Sequence, residues 1–411
     1  MAAEYTLSGR GTLSFVAGLP ASVKVLLLNN AGFNLGFYML LPYLAKYITD
    51  GLGYAAGFAG FVMGFRMLSQ QGLFLVGGTL ADRLNYQTVI MTGCALRVAG
   101  FGLFGAVTHP AAIVAAAFMT GFAGALFTPA YQALMARLTE GDGQRERIYA
   151  LQNVTTAVGA FGGPLFGLLL LRFGFGVLCA VAAGIFFLLL LLQLRYLPRM
   201  EGSEHASALP ILQDWKAVFA HRDFILFSFF MSAYYLMFNQ LYVLLPLSSP
   251  NDASVAAIFT LSSVFGAFFQ MPVSSLAVRL FSRPVRLAVG LGLMSVSFLF
   301  LLADWGRIFG MAINPLLTAG VLTIGTLVVF PPAISMVPEL GGERRQGVCF
   351  GVFYLFAGIA GAAGGALTAS LWTWNATALI SLLCGTGLLF SVFLWRHARS
   401  VESRSRRKRT A

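Results

Sequence analysis

Twelve apolar stretches divide this chain of 411 residues, each about as long as the ~20 residues that an α-helix needs to cross a bilayer. They fall near residues 23-47, 54-80, 86-108, 110-136, 146-172, 174-196, 223-248, 253-278, 284-304, 307-338, 345-371 and 374-395. Inside hydrocarbon every backbone N–H and C=O has to be satisfied by the protein itself, so a series of such stretches folds as packed helices. A soluble alternative is closed off by composition: 58% of the residues are hydrophobic and only 10% charged, more apolar surface than a water-soluble fold of this length can bury. The expectation is an all-α membrane protein with twelve transmembrane helices. The first 20 residues hold no apolar core long enough for a signal peptide, so insertion through the first span is expected.

Charge sets the expected orientation. With the amino terminus inside, the inner loops collect Arg83, Arg137, Arg145, Arg147, Arg195, Arg199, Lys216, Arg222, Arg279, Arg283, Arg286, Arg344 and Arg345, together with the tail from Arg396 to Arg409. The outer side keeps Lys46, Arg172 and Arg307. This asymmetry puts both termini in the cytoplasm and accounts for the net charge of +12 without any nucleic-acid partner. The basic tail is read as a positive-inside segment whose surroundings are lipid head groups and cytoplasm. Cys94, Cys179, Cys349 and Cys384 all fall within spans and in no metal-ligand spacing, so they read as packing thiols, and neither metal nor cofactor is expected.

The chain also repeats itself at close to half its length. Phe33-Asn34 with Leu41-Pro42 returns as Phe238-Asn239 with Leu245-Pro246, and Leu80-Ala81-Asp82-Arg83-Leu84 as Leu276-Ala277-Val278-Arg279-Leu280. Pro129-Ala130 returns as Pro332-Ala333, and Gly159 with Gly163 as Gly361 with Gly365. Four pairs in the same order support two pseudo-symmetric six-helix bundles. The expected organisation is a cytoplasmic N-terminal segment (1-22), a first bundle (23-196), a cytoplasmic linker (197-222), a second bundle (223-395) and a basic cytoplasmic tail (396-411). Within the linker, residues 211-220 have amphipathic spacing and suit either a membrane-surface helix or a plain connecting helix.

Two arginines lie inside spans, where facing lipid would cost at least a few kcal/mol. Arg66 is in the second span and Arg97 in the third. Consecutive spans run antiparallel through short loops, so Asn34 is level with Arg66, while Asn29, Asn30, Gln70, Gln71 and Arg97 form a second polar layer nearer the cytoplasm. Two readings stand at this point. The amides satisfy the arginines inside the first bundle, or some of them reach a central cavity and hold substrate or pass protons. No carboxylate falls at mid-membrane depth.

In the fifth span, Gly159, Gly163 and Gly167 recur every four residues and share one helix face, and Pro164 frees a carbonyl and permits a bend. Near the end of the second stands Gly78-Thr79-Leu80-Ala81-Asp82-Arg83, where apolar sequence gives way to a short polar loop. Together these resemble the major facilitator superfamily, the first its fifth-span antiporter motif and the second its signature loop between spans two and three. The fit is incomplete. Leu168 follows Gly167 where the motif has a second glycine, Asn85-Tyr86-Gln87 replace the glycine and basic residues of the loop, and Ala117 stands where the fourth span usually carries an arginine, four residues before Gly121.

The resemblance implies a bacterial inner-membrane exporter of the drug:proton antiporter type, in which two bundles rock about a central site. It implies that Gly78, Asp82 and Arg83 form the gate, Asp82 meeting the positive end of the eleventh span, and that Gly159, Gly163, Pro164 and Gly167 form a packing face. Because spans one, four, seven and ten line the cavity in this superfamily, it places Asn29, Asn30 and Asn34 ahead of Arg97 as ligands. It adds Thr128, Tyr131 and Gln132 on the fourth span, Tyr235, Phe238, Asn239 and Gln240 on the seventh, and Asn314 on the tenth; Arg66 and Gln70 remain pathway candidates. The expected partners are a small amphipathic substrate, protons and the bilayer, and the expected state is a monomer. Alternatives stay open: a dedicated exporter of an anionic or zwitterionic metabolite such as a siderophore, or a non-transporting sensor or scaffold. An enzyme is not expected, since His109, His205, His221 and His397 are scattered through loops and tail.

Overall fold

The structure, a computed structural model, describes residues 15–74, 76–77, 80, 84–138, 142–199, 218–303, 305–341 and 346–410. Among the described residues twelve long helices follow one another: α1 (Ala21–Lys46), α2 (Ala56–Gln71), α3 (Tyr86–Ala106), α4 (Pro110–Leu138), α5 (Asp142–Leu171) and α6 (Phe175–Tyr196), then α7 (Arg222–Phe238), α8 (Asp252–Leu280), α9 (Arg283–Ser297), α10 (Ile313–Gly341), α11 (Gln346–Trp374) and α12 (Ala376–Thr410). Several starts are dictated locally. Asn85, Asn251 and Asn375 each accept a backbone N–H of the following first turn, from Gln87, Ser254 and Ala378 at 2.8, 2.8 and 2.9 Å. Ser282 followed by Pro284 opens α9.

Among the described residues, eleven of these helices are long and apolar enough to cross a membrane. The exception is α2, which has 16 residues where the sequence suggests a span over 54-80. Gly72 and Leu73 form a turn, and helical backbone returns at Phe74, Val76, Gly77 and Leu80. Glycine is a poor helix former, and this turn lies against the neighbouring helix: a Cβ on Gly358 of α11 would sit 3.2 Å from the Gly72 nitrogen.

A second departure is at the start of the tenth span. The sequence suggests 307-338, but Arg307–Ile308 and Met311–Ala312 pair as a two-stranded antiparallel hairpin and α10 begins at Ile313. Phe309 and Gly310 form its two-residue turn with φ of 51° and 78°, the positive-φ pair that matches strand twist. Asn314 holds the hairpin's base, accepting from Trp305 N at 3.2 Å and donating to the Ala303 carbonyl. At the other end of the chain, the expected tail 396-411 continues α12 as helix through Thr410. Arg404 bonds Asp223 Oδ2 at 3.1 Å, and the His397 ring lies 2.8 Å from the Asp223 carbonyl, tying α12 to the start of α7. Residues 200–217, most of the expected linker including its segment 211–217, lie outside the described residues.

The packing repeats with an offset of six helices. In the first half α1 packs on α5 and α6, α3 on α4 and α6, and α2 on α4; in the second, α7 packs on α11 and α12, α9 on α10 and α12, and α8 on α10. Between the halves the main contacts are α2 with α11 and α5 with α8. Small residues make the first of these possible. A Cβ on Gly60 would meet the Gly365 carbonyl, and one on Gly64 would lie 2.7 Å from Ala362 Cα. Leu188, Phe187 and Leu367 are exposed on the outside, which suits a surrounding of lipid rather than water.

The second contact uses a hydrogen bond freed by proline. Pro164 has no N–H to give the carbonyl four residues earlier, that of Ala160, and Ser263 Oγ of α8 donates to this carbonyl at 2.9 Å. The bond ties the two halves where they meet. Ser263→Ala is expected to cost about 1 kcal/mol in a thermal or denaturant unfolding assay, and the cost should shrink in a Pro164→Ala background, where the helix supplies its own N–H. A double-mutant cycle measures this, and equal costs in both backgrounds would remove the proline from the account.

Candidate functional site

Asn30, Phe33, Asn34, Phe37 and Tyr38 recur at the i, i+3, i+4, i+7, i+8 spacing of a single helix face. In α1 this face borders a cavity of about 340 Å³. The remaining walls include Arg66 and Gln70 of α2, Arg97 of α3, Thr128 and Tyr131 of α4, and Gln152 and Thr156 of α5. From the second half come Phe238, Asn239 and Tyr242, where α7 ends and a 3-10 turn, Asn239–Leu241, takes over. That break has a local cause. Pro246 can neither donate to the Tyr242 carbonyl nor sit comfortably against it.

The amides are held firmly. Asn30 Nδ2 is 3.0 Å from the Gln152 carbonyl, 2.9 Å from Thr155 Oγ1 and 2.8 Å from Thr156 Oγ1, and with two hydrogens it serves two of the three at once. Asn34 Nδ2 donates to the Asn30 carbonyl at 2.7 Å. Asn239 reaches from the end of α7 to the Gly361 carbonyl at 3.2 Å. These bonds tie the cavity wall to α5 and α11.

The arginines are in a different position. Arg97 lies between Gly93 and Gly100, glycines at which α3 closes on α4, and is 1% exposed. Its guanidinium carbon sits 3.1 Å above the Phe33 ring, with Phe186 at 5.4 Å and Phe37 at 5.9 Å. Phe33 itself is stacked on Phe127 at 4.0 Å. Arg66 Nη1 donates to Gln70 Oε1 at 3.0 Å, and Phe37 lies 5.1 Å away. Among the described residues no Asp or Glu lines this cavity, and Arg66 Nε, Arg97 Nε and Arg97 Nη1 are buried with no hydrogen-bond partner. A desolvated cation–π contact returns ~2 kcal/mol, whereas burying an ion costs several, so the aromatic rings leave part of each charge uncompensated. The cavity is an electropositive, aromatic-walled pocket.

Three glycines of α5 set its distance from α1. A Cβ on Gly159 would lie 2.6 Å from Asn34 Cβ, one on Gly163 2.7 Å from Tyr38 Cβ, and one on Gly167 against the Met39 carbonyl. Tyr43 Oη donates to the Pro164 carbonyl at 2.5 Å along the same seam. The glycine face therefore presses α5 onto the cavity-lining stripe of α1.

Not every residue singled out in the sequence lies at the cavity. Asn30, Asn34, Arg66, Gln70, Gln71, Arg97, Thr128, Tyr131, Gln132, Phe238 and Asn239 border it. Asn29 does not; it is buried on another side of α1, its amide without a partner among the described residues. Gln240 is buried and bonds back to the Leu236 carbonyl at 2.8 Å. Tyr235 packs edge-on against Tyr234, Phe353 and Tyr354, and Asn314 caps the hairpin. Of the three asparagines that the analogy ranks ahead of Arg97, Asn30 and Asn34 border the cavity and Asn29 does not, while Arg97 is long enough to reach from α3 to the α1 stripe. Gly78, Asp82 and Arg83 lie outside the described residues. Phe37, Tyr38, Phe127, Gln152 and Thr156 had no place in the sequence reading; for the first two, the stripe continuing from Asn30 and Asn34 was the available signal.

At one end the two halves are latched. Lys46 Nζ, at the end of α1, donates to the Ser249 carbonyl at 3.2 Å and lies 4.0 Å from Asp252 and 3.9 Å from Asp50. The cavity thus lies between two similar halves that this latch joins at one end.

The family model for the Major Facilitator Superfamily matches residues 26–365. The chain belongs to the major facilitator superfamily. It is 33% identical over 399 residues to an uncharacterized MFS-type transporter of Mycobacterium tuberculosis, covering 92% of this chain and 95% of that one. To the multidrug resistance protein MdtH of Salmonella typhimurium it is 28% identical over 345 residues, 82% of this chain and 83% of MdtH. Among solved structures, a peptide transporter POT in complex with sulfate superposes with a TM-score of 0.78 at 16% identity, covering 95% and 98% of the two chains. A POT family transporter in complex with 5-aminolevulinic acid gives 0.75 at 14%, covering 94% and 99%. At such identities the structural likeness concerns the fold, and it agrees with the twelve-helix, two-half arrangement seen here. This major facilitator protein is a multi-pass membrane transporter, and its four cysteines are buried.

Proposed function

We propose that this major facilitator protein exports small amphipathic molecules across a bacterial inner membrane by alternating access, coupled to protons moving inward. The observation that carries the reading is the cavity itself. Its stacked rings supply contact area without strict geometry, and a few amides and two arginines supply polarity. Likeness to a multidrug resistance protein and the antiporter-type glycine face on α5 support efflux and antiport. The charge asymmetry supports cytoplasmic termini, in which case the Lys46 latch closes the outer face. On this reading residues 23-196 and 223-395 rock as two bundles in a monomer, with Gly78, Asp82 and Arg83 gating the inner face.

A second reading has its own observation. Two buried guanidiniums with unused donors and no carboxylate beside them among the described residues favour an anionic or zwitterionic metabolite, a siderophore for example, over a lipophilic cation. The test of both is uptake into energised inverted vesicles of one anionic and one cationic amphipathic dye, with and without a protonophore. Protein-dependent accumulation that the protonophore abolishes is expected. Accumulation that survives collapse of the gradient would end the claim of proton coupling, and no counterflow of either dye in proteoliposomes would end the claim of drug-like export.

A further inference from the structure

Beside the arginine cavity lies a larger chamber of about 700 Å³ between α5, α8 and α10. The two share Tyr38, Thr156, Phe238 and Tyr242, so these four side chains stand between them, with Tyr38 and Tyr242 hydrogen-bonded to each other. Both volumes fall in the ~300–1,000 Å³ range of sites that enclose small organic ligands. Their chemistry differs.

The chamber walls are mainly apolar, among them Val158, Leu241, Phe259, Ala267, Met271 and Leu322. Its hydroxyl groups are already engaged. Ser263 donates to the Ala160 carbonyl at 2.9 Å, Thr326 to the Leu322 carbonyl at 3.0 Å, and Thr323 is within bonding distance of both the Ala319 carbonyl and Ser262 Oγ. Apart from the amides of Asn153 and Gln270, the chamber leaves little for a polar occupant to bond. Val158 and Met271 on the rim are 62% and 81% exposed, an arrangement favourable only beside acyl chains or the apolar part of a ligand. On the far side of these four side chains the situation is reversed: Arg66 and Arg97 carry buried N–H groups that nothing in the described protein accepts.

We propose that the substrate is an anionic single-chain amphiphile, its charged head held by Arg66 and Arg97 and its apolar chain lying in the chamber between α5, α8 and α10. This deepens the exporter reading and rests on it. The carboxylate or phosphate head supplies the acceptors that the guanidiniums lack, at a point where charge-assisted bonds are strong. Burial of the chain supplies affinity roughly in proportion to its length. A head group alone forgoes the second term, and an equally long cation meets two like charges.

The test is binding to the purified full chain in phosphatidylcholine nanodiscs, with empty nanodiscs as background. The probes are laurate, hexanoate and dodecyltrimethylammonium, at mildly alkaline pH so that the carboxylates are ionised. Laurate is expected to bind at least about tenfold more tightly than either of the others. Arg66→Gln should weaken laurate about tenfold while Arg66→Lys recovers much of the loss. Gly266 borders the chamber with nothing within 4 Å of where its Cβ would stand, so Gly266→Phe fills the chamber without displacing backbone. That variant should weaken laurate and leave hexanoate within about twofold. The cation binding as tightly as laurate, laurate affinity indifferent to Arg66→Gln, or Gly266→Phe weakening both carboxylates alike would each overturn the proposal. Laurate binding as expected with no counterflow of any substrate would sink the exporter reading alone, whereas dye export without laurate binding would sink this inference alone.

Discussion

Replacing Gly163 with leucine is expected to lower export by at least about tenfold while membrane insertion stays normal, because overpacking of this kind typically costs ~1–3 kcal/mol. The first atom of the new side chain would stand 2.7 Å from Tyr38 Cβ and 2.9 Å from the Tyr38 carbonyl carbon, so α5 has to retreat from α1. Retreat moves the Asn30 acceptors on α5, and with them one wall of the cavity. The neighbouring glycine is the control. A Cβ on Gly162 would meet only Leu35 Cδ1, at 3.8 Å, so Gly162→Ala should be tolerated and gains helix propensity. The measurement is initial efflux rate normalised to protein in the membrane. Equal activity in Gly163→Leu and Gly162→Ala would mean that the α1–α5 seam yields freely and does not define the cavity.

Arg97→Met is expected to stabilise the empty protein and to abolish transport of an anionic substrate. The sign decides between two roles. If Arg97 were a structural cation paired within the first bundle, its loss would destabilise the fold by ~3–5 kcal/mol, as breaking buried pairs does. If it is held ready for a ligand, replacement by an apolar side chain of similar length is neutral or favourable by ~1–4 kcal/mol. The guanidinium lies over the Phe33 ring at 3.1 Å with Phe186 and Phe37 around it, an environment in which a thioether also packs well. Thermal unfolding of purified wild type and variant without substrate, beside uptake of an anionic dye, reads both effects. A lower midpoint for Arg97→Met would assign the residue to the scaffold and leave Arg66 to carry the charge recognition.

Some of this molecule is written in its sequence because the bilayer leaves few choices. Twelve apolar stretches have to become helices, since hydrocarbon offers no other partner for the backbone, and the half-length repeats of Phe33-Asn34 and Gly159/Gly163 foretell the packing that α1 with α5 and α7 with α11 share. One piece of local punctuation was equally legible: Pro164 frees a carbonyl, the one that Ser263 takes up. What the sequence could not fix was direction and depth around each helix axis. Asn29 and Asn30 are neighbours, yet a rotation of about 100° per residue puts one in packing and the other on the cavity. The family resemblance sets the third span further from the cavity than the first, but a side chain as long as arginine, admitted where Gly93 and Gly100 let α3 close on α4, crosses that distance. The turn at Gly72 and the hairpin at Phe309-Gly310 interrupt runs that hydropathy alone reads as continuous, since an average over twenty residues is blind to where single glycines release the helix. The chamber beside the arginines belongs wholly to tertiary structure: its walls come from α5, α8 and α10, drawn from both halves of the chain, and only their packing shows that an apolar space lies next to a charged one.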